Sequence, residues 1–186
     1  MPHPQFNRSQ LRVQPLACRA HDLTLDVLLP LDAGTFQHPS VPAIGRRLAD
    51  ARARGAARVL MMGAHVLRAG AQRHLIDLME RGLVSLIAMN GAGPIHDWEF
   101  AYQGESCEDV AHYVSQGQFG NWQETGFNIN LALNVGAYNG LGYGESLGAF
   151  ITNDGVEIPS QEQLRNEVKR EVETNPERAA AAADLL

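Results

Sequence analysis

Two short apolar runs with a helix-patterned segment between them constrain this chain more than any other feature. Arg58 to Met62, RVLMM, is continuously apolar after its arginine and is ended by Gly63. Leu83 to Met89, LVSLIAM, is the second run. Runs of this length read as strands buried on both faces, as in a parallel sheet. Between them lies Ala71 to Arg81, AQRHLIDLMER. Its Leu75, Ile76, Leu78 and Met79 form an apolar face, and Gly82 stops it. Strand, helix and strand in so short a span predict a βαβ unit with parallel strands.

The flanks read mainly as helix. Val41 to Arg54 carries Ile44, Leu48 and Ala51 at helical spacing, with Ser40 as N-cap and Gly55 as stop. Leu23 to Leu31 holds a short strand before Pro30. Pro94 marks the first position of a helix, and Ser106-x-x-Asp109 opens another that runs to Ser115. Glu124 to Asn139 is helical by spacing, and the glycine-rich turn Gly140–Gly148 leads into a further helix. Ser160 caps a charged helix to Glu173, and Asn175-Pro176 starts the last one. Residues 1–22 have no period and read as an irregular arm; residues 23–186 read as one α/β domain. Two firm strands and a weaker third are few, since a doubly wound sheet uses about five or six. The expectation is an incomplete parallel sheet flanked by helices.

Composition bounds the partners. The chain has 186 residues, a net charge of −6 and a pI near 5.6. That charge argues against nucleic acid, which requires clustered cations against its phosphates. No apolar run approaches the length that spans a bilayer, and Met1–Gln10 has no signal-peptide core, so a cytoplasmic protein is expected. Cys18 and Cys107 form no CxxC pair, which leaves two reduced thiols.

Ligands of parallel α/β sheets bind at the carboxyl ends of the strands. Two small-residue loops are expected there: Gly63-Ala64-His65 after the first strand, and Asn90-Gly91-Ala92-Gly93 after the second. Small residues let the backbone approach a phosphate, and a following helix offers N–H groups to it. His65 and His96 follow the two strands, and His96 is the candidate acid–base residue. Asp97 is a candidate for a ribose hydroxyl, or else for capping the helix begun at Pro94; Glu99 is expected on the surface. Trp98, Phe100 and Tyr102 read as a helix core face. His65, His96, Asp97 and His112 match no zinc spacing, so no metal is expected. Cys107 shows no catalytic partner in sequence.

Residues 58–106, RVLMMGAHVLRAGAQRHLIDLMERGLVSLIAMNGAGPIHDWEFAYQGES, resemble deoxyhypusine synthase and above all its bacterial relatives. NGAGPIHDWEFA carries the likeness most specifically; QFGNWQETG at 118–126 and GLGYGES at 140–146 add to it. The resemblance implies a Rossmann-like, NAD-binding fold assembled as a homo-oligomer, commonly a homotetramer. It implies NAD-dependent oxidation of spermidine and aminobutyl transfer through an imine on a lysine. It places Gly63, Ala64 and His65 at the first NAD loop, and Asn90, Gly91, Ala92, Gly93 and Asp97 at the second. Ile95-His96 stands where eukaryotic members have an acidic pair, and the first loop lacks their Thr-Ser hydroxyls.

The family's imine-forming lysine and polyamine-binding residues belong to a second half of the fold, which is expected to begin where this chain stops. Residue chemistry points the same way. An imine-forming amine has its pKa lowered by burial or a nearby cation. The sole lysine, Lys169, lies among carboxylates in NEVKREVE, which hold it charged. The other readings are a non-catalytic assembly remnant with an exposed sheet edge, and a sugar-phosphate or nucleotide-binding α/β module.

Overall fold

The computed structural model describes residue 5 and residues 7–32 and 37–186. Residues 1–4 and 6 of the expected arm lie outside the described residues. The chain divides into two compact units, His21–Cys107 and Met1–Ala20 with Glu108–Leu186. It is mixed α/β. Among the described residues the strands form two sheets of two strands each.

The unit His21–Cys107 contains every strand found among the described residues. The 23–31 stretch yields only β1 (Leu23–Thr24), because Thr24 then accepts a hydrogen bond from the Asp26 N–H and the chain tightens into a 3-10 turn. Helix α1 (Val41–Ala53) forms where its spacing predicts, and Gly55 ends it at positive φ. Ser40 precedes α1 without a side-chain cap bond. Strand β2 (Val59–Met61) leads to α2 (His65–Arg68) and α3 (Gln72–Glu80); β3 (Leu86–Ala88) leads to α4 (Ala92–Gln103) and β4 (Glu105–Ser106). β2 and β3 pair in parallel, as the strand–helix–strand pattern predicts. β1 and β4 pair antiparallel, Leu23 opposite Ser106.

The expectation of strands buried on both faces fails. In the parallel register Val59 pairs with Leu86 and Met61 with Ala88, so these four residues share one face. On it Val59 is 51% exposed, Met61 81% and Leu86 56%. Leu60 and Ile87 of the opposite face are half-buried. The apolar run was a correct signal for strand and an incorrect one for burial, because nothing among the described residues of this unit covers that face. Helix α3 shows the same pattern: Leu75 is buried while Ile76 and Met79 are exposed.

The other unit is helical: α5 (Val110–Ser115), α6 (Gln123–Tyr138), α7 (Tyr143–Thr152), α8 (Gln161–Glu171) and α9 (Pro176–Asp184). Asp109, not Ser106, caps α5, its side chain accepting from the His112 N–H at 2.8 Å. Ser106 is instead the last residue of β4. Ser160 and Gln163 form a capping box at α8, and Asn175 caps α9. The core joins Ile129, Ala132 and Val135 of α6 to Leu147, Leu164, Ala179 and Ala182 of its neighbours. Small residues set the α6–α7 approach: a Cβ on Gly136 would stand 1.8 Å from the Ser146 hydroxyl. Leu16 is buried and its N–H donates to Glu124 at 2.6 Å, so part of the supposed arm is anchored to α6.

Candidate functional site

The register of β2 and β3 brings two loops level. Met61 lies opposite Ala88, and the Met62 N–H donates to the Ala88 carbonyl at 3.0 Å. The chain therefore leaves both strands at one end, into Gly63-Ala64-His65 on one side and Asn90-Gly91 on the other. Ala64 is buried; Gly63, His65, Asn90 and Gly91 are exposed. Ala92 and Gly93 are not loop residues. They are the first two residues of α4, which begins two positions before its expected start. Pro94 is thus the third helical residue, which costs no intrahelical bond because first-turn N–H groups have no helical acceptor.

The glycines differ in what they leave open. A Cβ on Gly63 would meet nothing within 4 Å, so the backbone there faces open space. A Cβ on Gly93 would stand 2.2 Å from the Met89 sulfur, so that side chain lies against the start of α4. Gly93 also donates its N–H to the Asn90 carbonyl at 3.1 Å. The part of the cradle accessible to an anion is therefore Gly63 and the Gly91–Ala92 entry to α4, whose dipole favours negative charge.

Asp97 lies inside α4, so it cannot cap it. The residue as a whole is exposed, yet desolvation of its carboxyl by surrounding protein raises its pKa above the ordinary value. His65 is the exposed first residue of α2.

A buried polar cluster lies one turn along α4, and sequence reasoning missed most of it. Glu99, expected on the surface, is 1% exposed, and Ser106 is fully buried. The Ser106 hydroxyl donates to Glu99 Oε2 at 2.6 Å, and His96 Nδ1 lies 2.9 Å from the same hydroxyl oxygen. Cys107 is buried with its sulfur 3.6 Å from His96 Nδ1 and 4.0 Å from Nε2. The cysteine has φ of 65°, a left-handed conformation that costs a non-glycine residue roughly 1 kcal/mol or more. Burial pushes its thiol pKa up, more than the nearby Arg68 cation pulls it down. The thiol is neutral, so the pair is not a thiolate–imidazolium nucleophile.

The available signal for Glu99 was its spacing. It follows His96 by three residues on α4, hence the same face. Ser106 and Cys107 reach that face only because the left-handed Gly104 ends α4 and β4 pairs with β1. No local pattern announces such a pairing.

No family model, curated protein or solved structure matches this chain.

The remaining sequence candidates lie on helices. Trp98 and Phe100 are buried and serve α4 packing; Tyr102, expected on the same core face, is exposed and stacks on Trp98 with ring centroids 4.7 Å apart. His112 is on α5 in the helical unit and bonds Gln116 at 2.9 Å. Among the described residues no three His, Cys, Asp or Glu cluster as a metal site would require, and no helix is long and apolar enough to cross a membrane. Lys169 is exposed on α8. A cavity of about 740 Å³ in the helical unit is rimmed by Asp154 and Glu157, charges that disfavour phosphate there.

Proposed function

We propose that this chain is the nucleotide-binding half of a deoxyhypusine-synthase-like protein, Rossmann-like in kind, which takes NAD across the two strand-end loops. The level ends of β2 and β3 carry this reading, because two small-residue turns, each leading into a helix, then meet at one place. Gly63, Ala64 and His65 would line one side of the dinucleotide. Asn90, Gly91, Ala92 and Gly93 would line the other, with the entry to α4 favouring the pyrophosphate. Asp97 would accept a ribose hydroxyl. The fit is partial: Gly63 and Gly91 leave room at the backbone, while Met89 occupies the space beside Gly93.

Aminobutyl transfer is not proposed for this chain acting alone. Its single lysine is solvent-exposed, whereas an imine-forming amine is one set in a buried pocket or beside another cation. A polyamine would be handled with residues another segment or subunit supplies, in a cytoplasmic homo-oligomer. The exposed apolar face of β2 and β3 also favours a second reading, a non-catalytic assembly module.

Calorimetric titration of the full chain with NAD, and separately with a sugar phosphate, separates these. NAD binding that is saturable and lost in Asp97→Ala supports the proposal. Binding of the sugar phosphate alone supports a different α/β module, and binding of neither leaves the assembly reading. NAD-dependent polyamine oxidation by this chain alone would contradict its catalytic dependence on other residues.

A further inference from the structure

We propose that Glu99 and Ser106 form a relay that fixes His96 as its Nδ1–H tautomer and so puts the basic lone pair of the neutral ring on Nε2. The inference deepens the nucleotide reading, on which its functional meaning rests, because His96 stands on the helix whose entry forms the second loop.

Proton counting carries it. A serine hydroxyl has one proton and two lone pairs. The Ser106 proton goes to Glu99 Oε2 across 2.6 Å, the short distance of an O–H group bonded to a charged carboxylate. Ser106 is fully buried, so water does not compete for that proton. Its oxygen can then only accept from His96, and the 2.9 Å contact requires a proton on Nδ1. In the neutral ring the basic lone pair therefore falls on Nε2.

Cys107 also lies at the ring, its sulfur 3.6 Å from Nδ1 and 4.0 Å from Nε2. Cys107, just beyond β4, is a neutral thiol, because its burial outweighs the Arg68 cation; it cannot draw a second proton onto the ring as a thiolate would. Arg68, on α2, is the cation beside Cys107, and Glu99, on α4, reaches the ring through the Ser106 hydroxyl. Proton uptake at Nε2 from a bound O–H or N–H group leaves that group with its electron pair. It places a positive charge on a ring coupled through one hydroxyl to a carboxylate. Glu99 and Ser106 are positioning residues in this scheme, since neither needs to touch the ligand.

Long-range nitrogen–proton NMR on the full, histidine-labelled chain reads the tautomer directly, with His96→Gln assigning the signal. The expected result is a protonated Nδ1 and an unprotonated Nε2 in the neutral ring. In Ser106→Ala the tautomer preference is lost and the His96 titration midpoint moves down. An Nε2–H tautomer in the unmodified chain overturns the relay, as does a preference unchanged in a folded Ser106→Ala. If that variant fails to fold, the unmodified spectrum alone still decides. NAD titration of the same sample distinguishes the two levels: the predicted tautomer without NAD binding upholds the relay and removes the nucleotide reading.

Discussion

Single residues in this chain do more than their sequence context suggests. Glu167 stands in the charged helix α8, where a solvated side chain is the ordinary expectation, yet it is buried. It accepts from the Tyr138 hydroxyl and from Arg178 Nε at 2.6 Å, and the Arg178 guanidinium lies 3.9 Å from the Tyr138 ring centroid. Those bonds, Tyr138 first and Arg178 second, hold its carboxyl below the usual range. A carboxylate with a lowered pKa stabilises the fold above its unfolded pKa, and that stability is lost as pH falls through the lowered value. Glu167→Ala should cost about 1–3 kcal/mol, the penalty for unpairing part-buried partners. It should also flatten the acid limb of stability, read as urea midpoints against pH. Equal acid sensitivity in the variant would show that Glu167 is not the group concerned. Glu99 teaches the same lesson. Its type suggests a surface carboxylate, and the long-range β1–β4 pairing delivers Ser106 to it as a buried hydrogen-bond partner.

At the scale of elements, local signals were readable where the chain satisfies its own backbone. The Ser160–Gln163 capping box, Asn175-Pro176 at α9 and the glycine stops at Gly55 and Gly82 all behave as their residue types dictate. Ser160→Ala should therefore lower stability by about 1 kcal/mol, measured by thermal or urea denaturation, while the exposed neighbour change Gln161→Ala should not. What stayed illegible was tertiary. The 23–31 stretch shortens to two paired residues because Thr24 bonds locally, and Ser106 leaves a helix-cap pattern for a strand because Asp109 caps instead. The loop of the candidate site was read two residues too long: Ala92 and Gly93 have the small side chains of a phosphate loop but already lie in α4. The parallel strand pair, the most constraining feature of the sequence, formed in register.

At the scale of the whole molecule, the mixed α/β class was legible and the extent of the sheet was not. Continuous apolar runs imply a covered sheet, yet Val59, Met61 and Leu86 share an exposed face. If that face serves assembly, as the second reading holds, Met61→Lys with Leu86→Lys should shift the sedimenting species toward monomer without loss of helix content. An unchanged sedimentation coefficient would place assembly elsewhere. The central claim is that the two level strand ends form a dinucleotide cradle, and Gly63→Ala tests it most directly. Nothing lies within 4 Å of the added methyl, and the Gly63 backbone is outside the left-handed region, so the fold should keep its melting temperature. A dinucleotide lying on that backbone would collide with the methyl. The account predicts saturable NAD binding to the unmodified chain, weakened at least about tenfold in Gly63→Ala, a loss of about 1.4 kcal/mol. NAD binding of equal strength to both chains, or to neither, would contradict it.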